Sequence, residues 1–88
     1  MKDEFYDYLK FEDNKTENTC KSYTYHVEVV REDEGYSWKT LAQNIATVIS
    51  IYDIGGAKED LGSMGHRSRI NALKRFQEFV HKHPSAIR

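Results

Sequence analysis

The chain of 88 residues has one cysteine, one proline and no long apolar run, and each scarcity excludes a class of protein. The lone Cys20 cannot form an internal disulfide and has no partner for a zinc cluster, so we expect a buried thiol in a reducing, cytoplasmic compartment. No segment approaches the ~18 consecutive apolar residues that span a membrane, and the first residues do not begin a secretory signal. The only proline, Pro84, is expected to close the last helix.

The composition fits one small folded domain. Hydrophobic residues make up 39% and charged residues 31% of the chain, a balance typical of globular rather than disordered proteins. A chain this short buries roughly 60–65% of its extended surface, so its margin of stability is small. We expect a single domain over 1–88 with an ordered core at about 3–82, as a stand-alone protein or as the N-terminal part of a larger one.

Charge is unevenly distributed although the net charge is −1. Residues 1–36 carry five Lys/Arg against ten Asp/Glu, a balance of −5, and residues 37–88 carry eight against four, a balance of +4. A basic C-terminal segment attracts acidic polymers such as nucleic acid. It also complements the dipole of a helix that ends there, so charge alone leaves both interpretations open.

Apolar residues that recur at steps of three and four predict an all-α domain of four or five helices in an orthogonal, bundle-like arrangement. The predicted helices cover about 3–12, 17–34, 38–53 and 66–82. Thr16 and Ser37 are the expected N-caps of the second and third helices. Gly35 is expected to end the second helix, and Gly55-Gly56 the third. In the loop at 57–65, Leu61 is a candidate plug into the core.

Each predicted helix has an apolar stripe. In the second helix Tyr23, Tyr25, Val27 and Val29 also alternate, so a strand over 23–30 is the competing interpretation. Trp38 is interpreted as a core anchor. The stripes, from the first helix to the last, are Phe5, Tyr8, Leu9 and Phe11; Thr19, Tyr23, Val27 and Val30; Leu41, Ile45, Val48, Ile49 and Tyr52; and Ile70, Leu73, Phe76, Phe79 and Val80.

No set of side chains has the spacing of a catalytic or metal site. The four histidines lack the spacing of a zinc-binding helix, and His81 and His83 lie two apart near a helix end. The sequence Gly62-Ser63-Met64-Gly65 is neither a Walker loop nor a dinucleotide fingerprint. We therefore expect no independent enzyme, no cofactor, no metal and no small-molecule substrate.

The segment 62–75 indicates a binding surface instead. A glycine-rich turn leads into a helix whose first turns carry His66, Arg67, Ser68 and Arg69, and a helix N-terminus with arginine forks receives phosphate well. Arg67 and Arg69 are expected to point outward together with Lys74. On the second helix the outward residues are expected to be Lys21, Ser22, Thr24 and Tyr25. Two such faces could contact adjacent parts of a duplex, whereas the plainer interpretation is that both are solvated surfaces.

Three segments resemble the core-binding domain of tyrosine recombinases (phage integrases), the SAM-like N-terminal domain of that family. Asn18-Thr19, Tyr23, Val27 and Val30 follow the spacing of the family's N-T-x-x-x-Y-x-x-x-L-x-x-F helix. The segment from Leu41 to Tyr52 is similar to its middle helix, L-x-x-x-I-x-x-Y. The segment 69–79 looks like its closing helix, I-x-x-L-S-A-L-R-x-F-x-x-F.

The resemblance implies a non-catalytic DNA-binding module for DNA integration or recombination, which grips double-stranded DNA through its second and last helices. In that family the catalytic domain lies downstream. The contacts that the resemblance implies are Thr19, Lys21, Ser22, Arg67, Ser68 and Arg69. Together with the residues expected from helix-face reasoning, the candidate DNA-binding set is Thr19, Lys21, Ser22, Tyr25, His66, Arg67, Ser68, Arg69 and Lys74.

A second hypothesis is a helical protein-interaction or accessory domain of a larger enzyme that does not contact DNA. The acidic first third and the basic last third could pair within the fold or between copies. Tyr25, Val29 and Tyr36 would then form an exposed apolar patch for a partner.

Overall fold

The computed structural model describes residues 1–87, and all their regular structure is helical, which confirms the all-α class. None of the helices in this range is long and apolar enough to cross a membrane. Helix α1 continues directly into a π-helical turn, and a 3-10 turn follows α6. The elements are α1 Lys2–Asp7, the π-helical turn Tyr8–Glu12, α2 Glu17–Asp33, α3 Trp38–Gln43, α4 Ile45–Tyr52, α5 Glu59–Gly62, α6 Ser68–Lys82 and the 3-10 turn Pro84–Ile87.

Helix α2 is a continuous helix, so the competing strand over 23–30 is wrong. The Thr16 side chain accepts a hydrogen bond from the Thr19 amide at 3.2 Å, as expected of the N-cap. At the other end Gly35 adopts a left-handed conformation with φ 70°. Caps at both ends and burial of Val27 and Val30 outweigh the weak helix propensity of the β-branched residues.

Helix α6 forms the centre of the core and packs most extensively against α2 and then against α4. All five residues of its predicted stripe are buried. Phe76 is fully buried, and its ring centroid lies 5.2 Å from that of Phe5 and 5.9 Å from that of Trp38. Trp38 is packed against the core, as expected of an anchor.

The third predicted helix is interrupted at Asn44, where φ is −111° and ψ is 14°. The Asn44 side chain donates to the Thr40 carbonyl at 2.9 Å, and its backbone amide donates to the same carbonyl at 3.1 Å. Short amide side chains compete in this way for backbone groups that a helix would otherwise use. The apolar stripe continues across the break, because Leu41, Ile45, Val48 and Tyr52 are all buried.

The expectation that Phe11 and Leu61 face inward is wrong. Phe11 is 70% exposed because it lies within the π-helical turn, whose wider coil departs from the register of α1. Leu61 is 40% exposed because its neighbour Gly62 makes the contact with α4. A Cβ atom at Gly62 would lie 1.8 Å from the Tyr52 carbonyl oxygen, so the bare backbone fills this contact.

The buried face of α2 differs from the predicted stripe by one residue in its first turns. Cys20 and Thr24 are buried, whereas Thr19 is half-exposed. The Thr24 hydroxyl donates to the Cys20 carbonyl at 2.7 Å, so the expected outward orientation of Thr24 is wrong. This bond satisfies the hydroxyl inside the core. Burial raises the pKa of the Cys20 thiol, which fits the expected structural role of that residue.

Candidate functional site

A left-handed turn precedes α6. Gly65, His66 and Arg67 have φ values of 67°, 55° and 69°, so α6 begins at Ser68 rather than at His66 as expected. Three backbone hydrogen bonds hold the turn: the amides of Arg67, Ser68 and Arg69 donate to the carbonyls of Ser63, Gly65 and Met64, at 2.8, 3.1 and 3.4 Å. The left-handed conformation is unfavourable for His66 and Arg67 because, unlike Gly65, they carry a Cβ atom. The turn leaves His66 exposed beside the start of the helix.

The expected outward orientation of Arg69 is wrong, since this residue is only 7% exposed. Its Nε atom donates to Nδ1 of His26 in α2 at 3.3 Å, and its Nη1 donates to the sulfur of Met64 at 3.7 Å. Helical side chains lean toward the N-terminus of their helix, and α2 packs against that part of α6. Arg69 therefore connects the two helices on which DNA contacts were predicted.

Arg67 and Lys74 point outward, as expected, and contact the same carboxylate. The Arg67 Nη2 and Lys74 Nζ atoms lie 3.5 Å and 3.2 Å from the two oxygens of Asp53. Arg67 precedes α6 and Lys74 lies in its second turn, and Asp53 at the end of α4 brings the two cations together. The Asp53 carboxylate accepts the Ile54 amide and lies beside both cations, and these contacts lower its pKa. One carboxylate thus faces two cations.

Of the DNA-binding residues predicted on α2, some lie at this site and others do not. The Tyr25 ring is 59% exposed and lies 5.5 Å from the His26 ring, which contacts Arg69. Ser22 is half-buried and shares the side of His26 because the two are one helical turn apart. Thr19 and Lys21 make contacts within the first turns of α2: Thr19 accepts the Thr16 hydroxyl at 3.0 Å, and Lys21 lies 3.4 Å from Glu17.

Three residues of the site were not predicted from the sequence. His26 could have been found, because it follows Ser22 by four residues and Thr19 by seven on the same helix. Met64 and Asp53 belong to the connections around α5, and their contacts depend on how those connections fold. No periodic signal could have located either one.

The opposite end of α6 is acidic. A cleft of about 380 Å³ there is lined by Glu4, Asp7 and Glu12 and by Phe79 and His83. His83 Nε2 lies 2.7 Å from a Glu12 carboxylate oxygen. Within residues 1–87 no group of histidine, cysteine and acidic side chains could hold a metal ion. The 15-residue α6 is roughly 21 Å long and separates this cleft from the start of the helix.

We expect the stability of the domain to fall as the pH is lowered through the range of His26. Burial, and secondarily the charge of Arg69, lower the pKa of His26 below its ordinary value of 6.5. The unfolded chain therefore binds a proton more readily than the folded one, and the free energy of unfolding decreases as the pH falls from 6.5 toward the folded-state pKa. Urea unfolding at several pH values measures this slope.

The matched control is the exposed His81. His26→Gln should reduce the pH dependence of unfolding between about pH 7 and 5, and His81→Gln should leave it unchanged. An unchanged slope in His26→Gln would contradict the role of the buried imidazole.

Arg69, Arg67 and Lys74 are thus arranged around the first two turns of α6, with Tyr25 and His26 of α2 beside them. This chain matches no protein-family model, no curated protein and no solved structure.

Proposed function

We propose that the domain binds duplex DNA through the surface around the first two turns of α6. We call this the α6 surface, and it consists of Tyr25, His26, His66, Arg67, Arg69 and Lys74. The observation that carries the proposal is its charge. Among residues 1–87, Asp53 is the one carboxylate within 4.0 Å of the three Lys/Arg side chains, which leaves a balance of +2.

Phosphate contacts supply most of the affinity of a sequence-tolerant DNA-binding protein, and positive side chains at a helix N-terminus are suited to make them. The acidic cleft lies at the far end of α6 and would not oppose a duplex at this surface. The resemblance to the core-binding domain of tyrosine recombinases favours duplex DNA over other polyanions. It also implies a catalytic domain downstream in the parent protein.

The test is fluorescence anisotropy with a labelled duplex of about 20 base pairs at several salt concentrations. With about three phosphate contacts, the logarithm of the association constant should fall against the logarithm of salt with a slope near −2.7. The double variant Arg67→Ala/Lys74→Ala should weaken binding about ten-fold or more and reduce the slope by about 2.

The control removes two other cations. Lys10 lies in the π-helical turn, over the Phe11 ring, and Lys82 near the end of α6 lies over the Tyr8 ring of that turn, at the other end of the helix from the α6 surface. Lys10→Ala/Lys82→Ala changes the net charge equally and should leave most of the affinity intact. Equal losses in both double variants, or no duplex binding at low salt, would overturn the proposal.

A protein-interaction domain is the second candidate, and one observation favours it. Tyr25 is 59% exposed and Met64 is 49% exposed, and both lie near Arg69. Tyrosine, methionine and arginine are all enriched at the cores of protein interfaces. Val29 and Tyr36 of the expected patch are half-buried. Concentration-dependent association in sedimentation experiments, without duplex binding, would support this candidate instead.

A further inference from the structure

We propose that His26 of α2 and Arg69 of α6 form a pH-sensitive latch, which holds the turn at 63–67 against α2 while His26 is neutral and releases it when His26 is protonated. We call this pair the His26–Arg69 latch, and the hydrogen bond between the two side chains is its closed state. Release would bring the buried cation of Arg69 to solvent. Its consequence for DNA rests on the proposed function, whereas the opening itself does not.

The hydrogen bond of the latch forms in only one protonation state of His26. Arg69 Nε carries a hydrogen in every state, so Nδ1 of His26, which lies 3.3 Å away, is the acceptor. A neutral imidazole meets this requirement with its proton on Nε2. Protonation adds a hydrogen to Nδ1, which removes the acceptor and places two cations in contact. The contact then changes from attractive to repulsive.

Burial strengthens this repulsion. Arg69 is 7% exposed and His26 is half-buried, and the other acceptor of Arg69 is the uncharged sulfur of Met64, 3.7 Å away. The Tyr25 ring, which packs beside the imidazole, is also uncharged at neutral and acid pH. Water and salt screen partly buried charges less than exposed ones, so a second cation is costly here. Burial and the charge of Arg69 accordingly lower the pKa of His26.

The other charged side chains near His26 have separate partners or face solvent. The turn packed against it carries His66 and Arg67, and the adjacent turn of α2 carries Glu28. Arg67 lies 3.5 Å from the carboxylate at the end of α4, and Glu28 lies 2.8 Å from a lysine of α1. His66 is exposed. Arg69 is therefore the charged group whose contact with His26 changes when the imidazole is protonated.

The turn depends on His26 for its contact with α2. A Cβ atom at Gly65 would lie 3.2 Å from Nε2 and 3.4 Å from Cε1 of His26, so the glycine packs closely against the imidazole ring. The three backbone hydrogen bonds of the turn stay within residues 63–69. The left-handed conformation of His66 and Arg67 also stores strain. Loss of the imidazole contacts would therefore let the turn move away from α2.

NMR between about pH 7 and 5 tests the latch. The imidazole nitrogen shifts of His26 should show the Nε2–H form at neutral pH and then follow its protonation. As His26 titrates, the Arg69 Nε–H and backbone amide should lose protection against hydrogen exchange several-fold, after correction for the intrinsic pH dependence of exchange. The amides of Leu73 and Phe76, in the centre of α6, should keep their protection.

Three variants assign the effect to the latch. His26→Gln keeps an acceptor for Arg69 but cannot be protonated, so the Arg69 Nε–H should stay protected across this pH range. Arg69→Gln removes the repelling cation, and the pKa of His26 should rise toward its ordinary value. His66→Gln removes the exposed histidine of the same turn and should leave the opening unchanged.

Protonation of His26 without loss of protection at Arg69 would overturn the latch, and so would an equal loss in His26→Gln. Equal losses at Leu73 and Phe76 would also overturn it, because the whole domain would then be unfolding.

Duplex anisotropy at both pH values separates the latch from the proposed function. If the domain binds DNA, the added positive charge should increase its affinity on acidification more than that of His26→Gln. Opening of the turn in a chain that binds no duplex would support the latch and overturn the DNA function. Opening with equal duplex affinities in the two chains would support the latch and overturn its control of DNA binding.

Discussion

Gly62→Ala should lower the free energy of unfolding by about 3 kcal/mol, the upper part of the range for overpacking. The added methyl group would lie 1.8 Å from the carbonyl oxygen of Tyr52 and 2.8 Å from its carbonyl carbon, so α5 would have to move away from α4. Alanine favours a helix over glycine by about 1 kcal/mol, which opposes the clash without removing it. Urea unfolding monitored by the fluorescence of Trp38 measures the loss.

Gly55→Ala is the matched control. A Cβ atom at Gly55 meets nothing within 4 Å, but φ is +87° there, so this substitution tests backbone conformation without a clash. Its cost should be about 1 kcal/mol. A loss in Gly55→Ala equal to or greater than that in Gly62→Ala would show that the contact with Tyr52 is not what requires the glycine.

Helix positions could be predicted where the apolar period was long or where a side chain capped the N-terminus. The stripe of α6 extends over three turns, and every residue of it proved to be buried. The N-caps Thr16 and Ser37 were also found from residue type, because each accepts the amide three residues on. The break at Asn44 could not be found from apolar spacing, since the stripe continues across it.

Predictions failed where backbone geometry rather than periodicity decides the direction of a side chain. Phe11 lies in a π-helical turn, and that turn cannot be recognised from apolar spacing. Leu61 is an apolar residue of a polar loop, which made a position in the core the natural expectation. The contact belongs to Gly62, which packs through its backbone.

At the candidate site, too, the sequence predicted the orientation of some side chains but not of others. Arg67 and Lys74 both point outward as expected, and both contact Asp53. Arg69 is polar by type, which made an outward orientation the natural expectation. The tilt of its side chain toward the helix start, together with the packing of α2 there, buries it against His26. Only the three-dimensional arrangement reveals a cation that lacks a carboxylate partner.

Phe76→Ala should have the largest effect of all, a loss of about 3–5 kcal/mol of unfolding free energy. The Phe76 ring is fully buried and contacts the rings of Phe5, Trp38 and Phe79, with centroids 5.2, 5.9 and 5.9 Å away. Replacing the ring by a methyl group removes buried apolar surface, leaves a cavity and eliminates three aromatic contacts. Since an 88-residue domain has a total stability of about 4–13 kcal/mol, this variant could be largely unfolded.

Two further variants keep the prediction testable if Phe76→Ala does not fold. Phe76→Leu retains most of the volume and should cost about 1.5 kcal/mol, which urea unfolding can resolve. Phe11→Ala removes the same side chain from a position that is 70% exposed, and it should change stability by less than about 0.5 kcal/mol. Comparable losses at Phe11 and Phe76 would contradict the structure, because Phe76 lies in the core whereas Phe11 is largely exposed.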